Sequence, residues 1–158
     1  MNKISIIEVI QLMLAPGIMI SACGLLILGI NNKYSMVVNR IRLLNEERRR
    51  ILGKLSDKAI NLEENVRIAS ISKQLQALGF RVKLVRNSVL SYTISVALFV
   101  ITSLFIGFEY FTDSQELTFV VTTTFLLGMI SVFVGVIFGA YETIKGYQIV
   151  EIEIKIDE

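Results

Sequence analysis

The chain has no histidine, no tryptophan, one proline and one cysteine in 158 residues. Without histidine it lacks the commonest general base and the usual Cys/His zinc sets, and no metal site is expected. The lone Cys23 has no intramolecular disulfide partner and lies in an apolar run, so it does not report a redox compartment. Charge is also scarce, at 19% of residues against 53% hydrophobic, a balance too apolar for an ordinary soluble domain of this length. Glycine-rich phosphate loops, metal-ligand spacings and nucleophile–base sets are missing. The adjacent carboxylates Glu46 and Glu47, and Glu63 and Glu64, diverge by about 100° on a helix and cannot share a substrate. No catalytic residue, cofactor or metal is assigned, and the chain is read as a non-enzyme.

What is present is three apolar runs, at residues 9–30, 89–108 and 117–141, each long enough for a hydrocarbon core of about 30 Å at 1.5 Å per residue. The first is read as a mature membrane helix and not a signal peptide, because its flank holds only Lys3 beside Glu8 and the run outlasts a typical h-region. Thirteen of the sixteen Lys and Arg residues fall between residues 31 and 89, against five acids there, which leaves that segment at +8. The connector at 109–116 carries Glu109, Asp113 and Glu116 and no cation. Positive residues favour the cytoplasm, so residues 31–88 are expected inside, the N-terminus outside and the C-terminal segment 142–158 inside.

Within the basic segment, Val37, Ile41, Leu44, Ile51 and Leu55 follow spacings of three and four, with Arg48 at the missing step, as a helix with one buried stripe does. Gly53, Ser56 and Asp57 suggest a turn, after which Ile68, Ile71, Leu75, Leu78, Val82, Val85 and Val89 resume the pattern. Two matched arms predict a cytoplasmic antiparallel helical hairpin, with coiled-coil-like packing on itself or on neighbouring copies. In the last stretch, Val150, Ile152, Ile154 and Ile156 alternate with charged residues, the period of a half-buried strand; the alternative is a frayed terminus.

One face of the first helix carries Gly17, Ser21, Gly24, Leu28, Asn31, Ser35 and Arg42. Such a stripe either packs against helices of the same chain, lines a water-filled pore between copies, or faces lipid. Its polarity rises toward the basic end, which fits a pore with Glu8 at the outer mouth and Leu28 as a constriction that gates by dewetting. Pro16 is expected to bend this helix. The third span carries Gly128, Ser131, Gly135 and Gly139 on one face, the small-residue pattern of close helix packing. Glu142 extends that face where the helix should leave the membrane and is expected to be solvated. Lys33 and Arg40 are nearer the bilayer than Arg48, Arg49 and Arg50, and so are the better headgroup partners. Few aromatics interleave the basic residues, which argues against nucleic-acid binding.

The stretch ISACGLLILGINNKYSMVVNRIRLLNEE, residues 20–47, resembles a bacterial three-span membrane family of unknown function, the DUF2721 type. Gly24, Leu25 and Leu26, then Asn32 with Lys33, then the Arg40 and Arg42 pair carry the resemblance. It implies a three-span layout with a helical insert in the bacterial inner membrane, and no established activity.

The chain is therefore expected to be an all-α integral membrane protein with three transmembrane helices, a cytoplasmic hairpin and a short C-terminal strand. Its expected partners are the lipid bilayer, other copies of itself and inorganic ions passing through a pore lined by the first helix. Alternatively it is a scaffold or sensor whose stalk binds a soluble partner and conducts nothing.

Overall fold

The computed structural model describes residues 6–54, 62–112 and 115–156, with side chains described within 6–53, 64–109 and 117–147. These residues form three helices, α1 (Ile6–Lys54), α2 (Leu62–Thr112) and α3 (Gln115–Ile156), and no strand occurs among them. Each contains a stretch long and apolar enough to cross a membrane. The chain is a multi-pass, all-helical membrane protein in contact with the bilayer. Helices suit these sequences because hydrocarbon offers backbone groups no partner, and a helix satisfies them within its own segment. α1 runs without interruption through Asn31, where the apolar run meets the charged one.

The predicted C-terminal strand is not formed. Val150, Ile152, Ile154 and Ile156 all belong to α3, which continues past Tyr141 to Ile156. A lone strand would leave its backbone groups unpaired, whereas extending an existing helix bonds each N–H to the carbonyl four residues back. The acidic connector is likewise mostly helical, since α2 reaches Thr112 and α3 begins at Gln115. The predicted turn at Ser56 and Asp57 lies outside the described residues, and Gly53 is within α1.

The chain divides into two compact units, one of Met1–Ile30 with Asn87–Phe138 and one of Asn31–Arg86 with Gly139–Glu158. In the first, α1 buries Val9, Pro16 and Cys23, and α2 buries Tyr92, Phe99 and Ile106 together with Ser88, Ser95 and Thr102. Each of these sets steps by seven residues, the spacing that keeps one side of a helix against a neighbour through two turns. α3 contributes Gly128 and Gly135, also seven apart. The glycines are there because rings sit on them: a Cβ at Gly128 would stand 2.7 Å from the Phe99 ring, and one at Gly135 would stand 2.7 Å from the Tyr92 ring. Phe99 also packs on Phe125, with centroids 5.5 Å apart. Two hydroxyls bridge the same helices, Ser88 donating to the Gly135 carbonyl at 2.6 Å and Ser131 to the Ser91 carbonyl at 2.8 Å. Ser95 and Thr102 instead donate to carbonyls four residues back in α2.

In the second unit, Val37 and Leu44 of α1 form a core cluster with Ile71 and Leu78 of α2, with Ile41, Ile51, Leu75 and Val82 packed against it. All eight belong to the stripes read from the sequence. The two segments run antiparallel. Lys33 and Arg81 meet at one carboxylate and Glu47 meets Arg67, so fourteen residues forward along α1 match fourteen back along α2.

Candidate functional site

Glu142 of α3 is the buried charge among the described residues of the second unit, with a side chain only 2% exposed. Arg81 of α2 donates to its Oε1 from both Nε, at 3.0 Å, and Nη2, at 2.6 Å. Lys33 of α1 donates from Nζ to Oε2 at 3.5 Å and to the Thr143 hydroxyl at 2.8 Å. One carboxylate is thus shared by cations from two other helices. The solvated Glu142 expected from the sequence is corrected by this arrangement. Glu142 lies seven residues beyond Gly135 on the inward series of α3, and a charge carried inward by its helix requires paired donors. Among the described residues no buried side-chain nitrogen or oxygen lacks a hydrogen-bond partner.

Gly146, one turn further on, makes room for this pairing, since a Cβ there would stand 2.8 Å from Arg81 Nη2. Beside the ion cluster opens a cleft of about 480 Å³, lined by Met36, Val37 and Leu78 together with Lys33, Arg40, Arg81, Glu142, Thr143, Gly146 and Tyr147. Phe80 meets Tyr141 edge-on nearby, with ring centroids 6.5 Å apart. Further along the same pair of helices, Arg67 Nε donates to Glu47 Oε1 at 2.8 Å. That hydrogen bond chiefly holds the Glu47 carboxyl below its ordinary value, against an opposing effect of desolvation, with the charges of Arg67 and Arg40 adding to the lowering.

The stripe on α1 occupies a different surface. Gly17, Ser21, Gly24 and Leu28 are exposed in the first unit, and Asn31, Ser35 and Arg42 are exposed in the second. No side chain or other helix comes within 4 Å of a Cβ built at Gly17 or Gly24. Packing within this chain uses Val9, Pro16 and Cys23 instead. Ser21 donates to the Gly17 carbonyl at 3.2 Å and Ser35 to the Asn31 carbonyl at 3.1 Å, so both hydroxyls are satisfied on their own helix. A shallow groove of about 330 Å³ runs along this side between Ile10, Met13, Leu14, Gly17, Ile18 and Ser21. Glu8 is exposed, two residues before Ile10 of the groove.

On α3, Gly128, Ser131 and Gly135 touch α2 as described above. Gly139 lies in the second unit, where its carbonyl accepts from Thr143. Sequence reasoning missed the Lys33–Arg81–Glu142 cluster. The available signal was the register itself, because the face that turns Gly128 and Gly135 inward carries Glu142 with them.

A family model described as a protein of unknown function (DUF2721) matches residues 13–152. No curated protein and no solved structure matches the chain.

Proposed function

This chain belongs to the DUF2721 family of unknown function, and we propose that it works as a homo-oligomer whose copies surround an ion-conducting pore lined by the first helix. The observation that supports this is the exposed stripe of α1. Gly17, Ser21, Gly24 and Leu28 remain uncovered although small residues are those that let helices approach closely. In the pore, Glu8 stands at the outer mouth, Leu28 forms an apolar constriction, and Asn31, Ser35 and Arg42 line an inner vestibule that attracts anions. The +8 charge of residues 31–89 supports an orientation with that segment in the cytoplasm and the N-terminus outside the cell membrane. Liposome flux with L28A and S21L, together with oligomer size for G24L in mild detergent, tests this. Faster leak in L28A, blocked flux in S21L and a smaller particle for G24L are expected. Flux unchanged in both variants, or a wild-type monomer, overturns it.

A scaffold or sensor is favoured by a separate observation. Arg48, Arg49 and Arg50 are all exposed in the second unit, beside exposed Leu43 and Leu52, a surface suited to an acidic soluble partner. A monomeric chain whose arginine variants lose a soluble partner while flux is absent throughout would decide for the scaffold.

A further inference from the structure

In the second unit, the outward face of α1 carries charge of both signs. Arg42, Glu46 and Arg49 are all exposed. At 100° per residue they lie about 140–200° around the helix from Leu44, on the side away from the seam with α2. None of the three makes an ion pair or side-chain hydrogen bond among the described residues, although steps of three and four are those that bring side chains of one helix together.

Copies of one membrane protein that share a topology hold α1 parallel, with like residues at equal depth. A face of a single sign would then repel its twin. Here the signs alternate at steps of four and three. At 1.5 Å per residue, Glu46 of one copy differs in height by about 6 Å from Arg42 of the next and by about 4.5 Å from Arg49. Arginine and glutamate side chains span such offsets, as they do between neighbouring turns of one helix. The face is therefore complementary to a second copy of itself. An acidic soluble partner would instead meet a like charge, Glu46, in the middle of the stripe.

We propose that α1 of a second copy docks in parallel along this face, with Glu46 of each copy pairing with Arg42 and Arg49 of its neighbour. This rests on the homo-oligomer reading above and supplies it with a contact between copies outside the membrane. Arg42 keeps its place at the vestibule while pairing sideways.

Two differently tagged full-length chains, co-expressed and purified in mild detergent, test the contact by the fraction of one tag recovered with the other. E46R leaves the stripe with cations alone, and R42E/R49E leaves it with acids alone. Each variant co-expressed with itself should lower recovery about fivefold, and E46R co-expressed with R42E/R49E should restore it. The restoration should fade in about 1 M salt, where the screening length is roughly 3 Å. E46Q and R42Q/R49Q should act in the same direction but less strongly. K73E/K83E, exposed sites on α2 with the same change in net charge as R42E/R49E, should leave recovery near that of the wild type. All the substituted side chains are exposed, and melting temperatures check that each variant folds. Recovery unchanged in both charge variants, no restoration in the mixture, or an equal loss in K73E/K83E would each overturn this contact and leave wild-type association, and with it the oligomer reading, standing. Wild-type chains that recover none of their twins would overturn both.

Discussion

Removing Arg81 and removing Glu142 are unequal perturbations, although they break the same bonds. Glu142 is 2% exposed, whereas the side chains of Arg81 and Lys33 are 21% and 42% exposed. Deleting Arg81 leaves a buried carboxylate with one long contact to Lys33, and an uncompensated buried charge costs about 3–5 kcal/mol. Deleting Glu142 leaves two cations that reach water with small rotamer changes. R81A is therefore expected to destabilise the protein by about 3 kcal/mol or more, and E142A by roughly half as much, in reversible denaturant unfolding in mixed micelles. Equal losses would show that water reaches Glu142 freely. The burial of this residue illustrates where the sequence stops short. A carboxylate just past an apolar run looks like an interfacial charge, and only the partners supplied by two distant helices reveal that it is enclosed.

At the scale of the element, the glycines separate into two kinds that share one composition. Gly128 and Gly135 lie under the buried rings of Phe99 and Tyr92, each 2.7 Å from where a Cβ would stand. Alanine at either should cost about 1–3 kcal/mol by overpacking. Gly17 and Gly24 have open space where a Cβ would go. Alanine at either should be neutral, or stabilise the chain by up to about 1 kcal/mol through helix propensity. Thermal melts of the four single variants read the contrast, and a loss at Gly24 matching that at Gly135 would count against it. The small-residue face of α3 and the apolar stripes of α1 and α2 were legible because three-and-four spacing carries a helical signal through any length of chain. The tail was misjudged because Val150, Ile152, Ile154 and Ile156 alternate as strongly as any strand. Alternation decides the outcome only where a partner strand exists, and here the preceding helix already supplies the hydrogen bonds.

For the whole molecule, acid stability should carry a small signature of the contact between the charged halves of α1 and α2. The Glu47 carboxyl lies below its ordinary value when folded, so its contribution is present above the unfolded value and is lost as pH falls through the folded one. Arg67 and Glu47 are both substantially exposed, which limits the effect to under about 1 kcal/mol. Unfolding followed from neutral to acidic pH should show a slightly smaller decline for E47Q than for the wild type, and superimposable curves would remove the pair from the account. The three spanning helices were evident from apolar length alone. Which face of α1 pairs with its own chain was not, since Gly17, Ser21 and Gly24 looked as fit for that role as Val9, Pro16 and Cys23, which take it.

Because Glu142 is the shared counterion of Lys33 and Arg81, α3 acts as a charge spacer between the other two helices. A chain ending before residue 142 would lose more than one contact: it would turn a mutual attraction to a common anion into like-charge repulsion across the α1–α2 seam. At that point of the seam it is therefore the last helix in the chain that supplies the neutralising charge.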